Sequence, residues 1–271
     1  MDPLTERTPR VVSAVKLLRT AERRKAGRFL VEGENSVTEV LNGEARSVHD
    51  LFYTEDAAER YQHVIDLALT AGVRVSLVTD RAAKALSDTV TPPGLVAVCD
   101  LLDVPLGDAI RPGTRLLAVP VEVNEPGNAG TVIRIADAVG ADAAILAGDS
   151  VDPHNGKVVR SSAGSLFHLP VVRERDTAVV IEQIRAAGIQ ILATAADGEI
   201  DLDNADELLS KPTAWLFGNE AHGLDPAIAA QADFRVRIPI HGRAESLNLA
   251  TAAAICLYAS ARVQNRTAEQ G

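Results

Sequence analysis

The feature that most constrains this chain is an alternation of short, nearly continuous apolar runs with helical segments. The strand expected over Arg115–Val123 is apolar at every position from Leu116 onward except Glu122. A run of that kind suits a strand covered on both faces, and strands separated by helices build parallel sheets. The second half of the chain repeats the pattern. Strands are expected over Ala143–Ala147, Phe167–Val172, Ile189–Thr194, Thr213–Phe217 and Phe234–Ile238. Helices are expected from Gly127 to Val139, Lys157 to Ala163 and Thr177 to Ala187, and an Ala-rich helix closes the chain over Leu247–Val263. This is an open parallel sheet with helices on both faces, and its ligands are expected beyond the carboxyl ends of the strands.

The first half reads as a smaller α/β unit. A basic amphipathic helix is expected over residues 8–26, then strands over Phe29–Gly33, Ser47–Tyr53, Val73–Val78 and Gly94–Leu102, with helices between them. Residues 103–113 carry two Pro and two Gly among polar residues and mark the boundary. The expected organisation is therefore residues 1–105, a linker at 106–113, and residues 114–271.

Composition removes several classes of function. The 271 residues contain no run of 18 apolar residues that would span a membrane, and Met1-Asp2-Pro3-Leu4 lacks the start of a signal peptide. Cys99 and Cys256 are far apart, and no His/Cys group has zinc spacing, so a cytoplasmic chain with reduced thiols and no metal is expected. The net charge of −10 argues against bulk binding of nucleic acid, but the charge is unevenly spread. The first 28 residues hold Arg7, Arg10, Lys16, Arg19, Arg23, Arg24, Lys25 and Arg28 against Asp2, Glu6 and Glu22. With three Tyr, five Phe and one Trp, the chain cannot offer extensive stacking platforms for bases. Any nucleic-acid contact would rest mostly on backbone and shape.

Three turns bearing Gly and Asn follow expected strands: Asn124–Arg134, Leu216–Leu224 and Ile238–Asn248. Glycine allows close backbone approach, and exposed N–H groups at such turns can hold an anion or a purine edge. Any one turn would pass as an ordinary loop; three at strand ends of one domain indicate a ligand site. Neither GxGxxG nor GxxxxGK[ST] occurs, which disfavours a dinucleotide or nucleoside-triphosphate enzyme.

These segments resemble the three motifs of the SpoU/TrmH RNA ribose methyltransferases, in their usual order. Asn128, Gly130 and Arg134 match N-x-G-x-x-x-R; Gly218, Glu220 and Gly223 match G-x-E-x-x-G; Ser246, Leu247 and Asn248 match the S-L-N core. Glu125-Pro126 stands where the family usually has Asp-Pro. Arg160–Pro170 resembles the family's connecting segment, and Gly27–Gly33 and Leu86–Gly94 resemble its ribosomal-protein-like N-terminal domain. The overall layout is also similar to the thiostrepton-resistance methyltransferases. The resemblance implies a SPOUT fold with a C-terminal trefoil knot, a homodimer, and S-adenosylmethionine as methyl donor. It implies RNA as substrate, with large-subunit ribosomal RNA favoured because of the added N-terminal domain. Transfer RNA, or a catalytically silent RNA-binding protein of the same fold, is the alternative.

On this resemblance Arg134, Asn128, Glu220, Ser246 and Asn248 are the expected catalytic set. Arg134 would hold the target phosphate and stabilise the developing alkoxide, since guanidinium keeps its proton. Asn128 would orient the ribose or the arginine, or simply cap a helix. Glu220 would pair with Arg134, within the chain or across the dimer, or face the sulfonium, or simply be a solvated loop carboxylate. Ser246 would fix substrate or cap the last helix. Thr194, Gly218, Asn219, Glu220, Ile238, Ser246, Leu247 and Asn248 are the expected cofactor residues. Arg134, Arg160, Arg23, Arg24, Lys25 and Arg28 are the expected RNA contacts. His222 and His241 are left as loop histidines.

Overall fold

The structure is a computed structural model that describes residues 2–43 and 47–268, with side chains to residue 266. It divides into two compact units, Met1–Leu102 with His154–His168, and Asp103–Pro153 with Leu169–Gly271.

In the smaller unit, α1 (Pro9–Lys16) and α2 (Thr20–Ala26) lead into β1 (Arg28–Glu32), α3 (Glu34–Gly43), β2 (Val48–Tyr53), α4 (Glu55–Thr70), β3 (Arg74–Leu77), α5 (Asp80–Ala85) and β4 (Leu95–Asp100). The sheet order is β1-β4-β2-β3, antiparallel except for the β2/β3 pair. Phe52, Leu30, Val96 and Val98 pack with Val11, Ala14 and Leu17 of the first helical stretch, and Val15 is partly buried beside them, whereas Val12 and Leu18, expected on the same apolar side, are exposed.

The single helix expected over residues 8–26 is two helices. The guanidinium of Arg23 donates to the carbonyls of Leu17 and Leu18, both at 3.0 Å, and to Thr20 Oγ1 at 2.9 Å. It satisfies carbonyls that the end of α1 leaves open, and the chain restarts at Thr20. Gly27, at φ 64°, closes α2.

In the larger unit, α6 (Leu106–Ala109) precedes β5 (Leu116–Pro120), α7 (Pro126–Ala138) and β6 (Ala143–Ala147). The segment carrying α8 (Gly156–Ser162) belongs to the smaller unit. The larger unit resumes with β7 (Val171–Glu174), α9 (Thr177–Ala186), β8 (Gln190–Thr194), β9 (Ile200–Asp201), α10 (Asp206–Leu209), β10 (Thr213–Phe217), α11 (Pro226–Ala229), β11 (Phe234–Arg237) and α12 (Leu249–Ala268). The seven strands run in the order β7-β6-β5-β10-β8-β11-β9, all parallel. β5, β6 and β10 are buried at every position, as strands covered on both faces must be.

Other elements also differ from expectation, among them the short helices α10 and α11. The start of the strand expected over Phe167–Val172 is a 3₁₀ turn at Ser165–Phe167, and β7 begins at Val171. A short helix, α6, lies within the stretch read as linker. The two-residue edge strand β9 is too short to leave a periodic signal. The closing helix α12 lies against α7, β5 and β10. It is fixed there by Trp215, fully buried on β10, whose indole N–H donates to Ser260 Oγ at 2.9 Å. A buried indole needs such a partner, and together with its area this pair is a main tie between helix and sheet. Among the described residues no helix is long and apolar enough to cross a membrane, and no group of three or more His, Cys, Asp or Glu is disposed to hold a metal ion.

Candidate active site

The central strands end together. Phe217 is in register with Pro120, and Thr194 with Val236, so the turns leaving β5, β8, β10 and β11 share one edge of the parallel sheet. That edge is the expected place for a ligand in an open α/β sheet.

The turn after β10 is closed on itself. Asn219 N donates to Gly223 O at 3.0 Å, and Gly223 N returns a bond to Asn219 O at 2.9 Å. A Cβ on Gly218 would lie 2.2 Å from Leu224 N, so only glycine lets the turn fold this tightly. The result is a rim of backbone polar groups, suited to a purine edge or a small polar ligand.

Glu220 extends from this turn to the first motif. Its carboxylate accepts a hydrogen bond from Asn128 Nδ2 at 3.0 Å and longer ones from the backbone N–H groups of Asn124 and Glu125 at 3.5 and 3.4 Å. Asn128 Oδ1 in turn accepts from Asn248 Nδ2 at 3.1 Å. Asn248 Oδ1 accepts from Ala250 N and Thr251 N, which makes it the cap of α12. One hydrogen-bonded line, Glu220–Asn128–Asn248, therefore joins all three motifs within a single chain.

This arrangement revises several readings. Glu220 pairs with Asn128 and not with Arg134 of its own chain. The cap of α7 is Glu125, whose side chain accepts from Gly127 N at 3.2 Å, and Asn128 sits inside the helix. Pro126 was the usable signal, because proline favours the first helical position and the cap precedes it. The cap of α12 is Asn248 and not Ser246, because the helix starts at Leu249.

Arg134 is exposed and makes no hydrogen bond or ion pair among the described residues. It lies six residues beyond Asn128 on α7, about 9 Å along the helix axis and about 240° around it. The two side chains therefore occupy different faces. Thr194 is half-buried at its strand end and donates to Leu216 O at 3.3 Å. Ile238 and Leu247 are half-buried, and Ser246, His222 and His241 are exposed.

The remaining basic residues lie in the smaller unit. Arg160, on α8, donates to Asp88 Oδ1 at 2.6 Å and Glu32 Oε2 at 3.2 Å, so its charge is already matched. Arg28 approaches Asp100 at 3.5 Å. Arg23 is buried and occupied with carbonyls, which removes it from the surface set. Arg24 and Lys25 are exposed, as are Arg7, Lys16 and Arg19, and none of these five has an acidic partner among the described residues.

Comparison with known proteins agrees with this geometry. Residues 115–258 match the SpoU rRNA Methylase family, and residues 8–97 match an MRM3-like substrate binding domain. The chain is 35% identical to the 23S rRNA (guanosine(2553)-2'-O)-methyltransferase RlmP of Bacillus subtilis, over 90% of this chain and 92% of that protein. An AdoMet-bound rRNA methyltransferase from Sinorhizobium meliloti has the same fold, with a TM-score of 0.83 and 32% identity, over 96% of this chain and 97% of that one. The SpoU methyltransferase AviRb of Streptomyces viridochromogenes, in complex with AdoMet, gives 0.82 and 32%, over 96% and 100%. With its three motifs joined at one edge of a parallel sheet, the chain belongs to the SpoU rRNA methylase family.

Proposed function

We propose that this protein transfers a methyl group from S-adenosylmethionine to a ribose 2′-hydroxyl of large-subunit ribosomal RNA. The observation that carries this reading is the Glu220–Asn128–Asn248 line at the carboxyl edge of the sheet. It lies in a chain that resembles 2'-O-methyltransferases over nearly its whole length.

The turn at Gly218–Gly223, with backbone at Ile238 and Leu247, would hold the adenosine; Thr194 and Asn219 border the same edge. The tight turn fits this role because it presents backbone and no side chain at Gly218. S-adenosylmethionine, when bound, supplies a methyl group on a cationic sulfur that is already a good leaving group. The chain's task is to hold the hydroxyl in line, and fixed positioning can itself contribute many powers of ten in rate. Arg134 is the residue for the RNA: it holds the target phosphate and stabilises the oxygen as its proton leaves to phosphate or solvent. Ser246, exposed beside the Asn248 cap, is free to approach the ribose.

Arg134 faces away from the Asn128 line of its own chain, which supports a homodimer in which it serves the partner's pocket. The exposed side of α12 carries Ile255 and Tyr258, the latter 65% exposed, and is the surface offered to a second copy. The path from β11 through residues 238–248 to α12, back against β5 and β10, supports a knotted crossing. A cytoplasmic location follows from a ribosomal substrate.

The RNA is gripped mainly by the smaller unit. That unit holds 15 Lys and Arg against 15 Asp and Glu, whereas the larger holds 12 against 22, so the whole net charge of −10 falls on the larger unit. Arg7, Lys16, Arg19, Arg24 and Lys25, which have no acidic partner among the described residues, supply cations for this grip.

The test is transfer of labelled methyl from S-adenosylmethionine to ribosomal RNA and, separately, to transfer RNA, read as an alkali-resistant dinucleotide. Label in ribosomal RNA that disappears with Arg134→Ala is the expected result. Label in transfer RNA alone would reassign the substrate, and no label in either RNA or in ribosomal particles would overturn the reading.

A further inference from the structure

Glu122 stands between β5 and α7 with φ at 54°, in the left-handed region. Among the described residues only Ala163 shares that state without being glycine. A side chain makes this conformation unfavourable, so something must hold the residue there. Its backbone is gripped from both sides. Glu122 N donates to Ala147 O at the end of β6, at 3.0 Å. Glu122 O accepts from Asn219 Nδ2 at 2.7 Å. Asn219 is 7% exposed, and its Oδ1 accepts from Ala221 N at 2.8 Å, so both ends of its amide are engaged.

The bond joins the two motif turns beside Glu220. Two and three residues beyond Glu122 lie the backbone N–H groups of Asn124 and Glu125 that face the Glu220 carboxylate, and then Asn128. The direction in which the chain enters α7 is set where Glu122 reverses it. The side chain of Asn219 is spent on the protein and leaves only its backbone for a cofactor.

We infer that Asn219 is a positioning residue: its amide locks Glu122 in the left-handed state and so fixes the first motif against the second. It acts on methyl transfer through the turn, not by touching either reactant. A change that removes only the donated hydrogen bond should let Glu122 relax and misplace α7. Glycine at position 122 would lower the cost of the left-handed state and restore the turn without the clamp.

The decisive variants are Asn219→Asp, which keeps an acceptor for Ala221 N but cannot donate to Glu122 O, and the double variant Asn219→Asp with Glu122→Gly. Asn219→Asp is expected to lower kcat/KM for methyl transfer at least tenfold, while calorimetric affinity for S-adenosylmethionine changes less than threefold. Glu122→Gly in that background is expected to recover activity about fivefold, a rescue that a direct contact with cofactor or RNA would not give. Recovery below threefold, or Asn219→Asp with undiminished activity, overturns the inference. The rate readout rests on the proposed methyl transfer, and the wild-type protein run alongside reports on that reading separately.

Discussion

Asn248 serves two partners with one amide: its oxygen caps α12 through Ala250 N and Thr251 N, while its nitrogen reaches Asn128 Oδ1 at 3.1 Å. The start of the last helix and the first motif are thereby held in a fixed relation. Asn248→Asp separates the two roles, because aspartate caps as well as asparagine but cannot donate to Asn128. It should keep the melting temperature within about 2 °C and lower methyl transfer at least tenfold. Asn248→Ala should also lose the cap, which contributes about 1 kcal/mol, and melt about 2–4 °C lower. Equal melting loss in both variants would show that the amide is purely structural.

The Arg134 side chain makes no hydrogen bond or ion pair among the described residues, so its removal should leave folding intact. Arg134→Ala is expected to change stability by less than about 0.5 kcal/mol, as for other exposed positions, and to abolish transfer. Service in trans gives a sharper outcome. Co-expression of Arg134→Ala with Asn248→Asp should produce mixed dimers with one complete site, and activity should return when two inactive chains are combined. No recovery in purified mixed dimers would place Arg134 on its own pocket.

The cations of α1 and α2 should act through phosphates alone. Replacing Arg19, Arg24 and Lys25 together by alanine should weaken binding to every RNA tested. It should also reduce the slope of log K against log salt by about 2 to 3, one contact contributing about 0.7–0.9. Affinity for S-adenosylmethionine should not change. An unaltered salt slope would move the RNA surface elsewhere.

Asp50 on β2 provides a pH-dependent tie within the smaller unit. Burial alone would push its carboxyl up, but hydrogen bonds from Arg74 and Arg10, with their charges, outweigh burial and hold it below the ordinary carboxylate range. Arg74 Nε and Nη2 reach the two carboxylate oxygens at 2.7 and 2.8 Å. A depressed folded value means that the stabilisation is complete above the unfolded pKa of about 3.9 and fades as pH falls through the folded value. Asp50→Asn should therefore cost about 2 kcal/mol at pH 7, and the gap to wild type should narrow below about pH 4. Denaturant unfolding at the two pH values measures it; a constant gap would assign the loss to packing.

Much of this protein was legible in its sequence. Apolar runs such as Leu116–Val119 and Ala143–Ala147 specify buried parallel strands, because only strands covered on both faces need to be apolar at successive positions. The turns that carry Asn128, Glu220 and Asn248 stand out because they follow strands, and the resemblance to the family's motifs marked these three residues within them. The sequence could not say which of them meet. Asn128 and Glu220 are 92 positions apart, and their contact exists only because the parallel order sets β10 beside β5. Nor could it tell that Arg23 is buried while Arg24 and Lys25 are exposed, because three adjacent cations look alike until the helix break at Leu17–Arg19 turns one inward. The left-handed state of Glu122 left no trace, as glutamate carries no preference for it; the clamp from Asn219, 97 positions away, decides it. Local pattern thus determined the elements, and the family motifs marked the candidate residues. Tertiary structure decided their pairing, because pairing depends on strand order, and strand order is a property of the whole sheet.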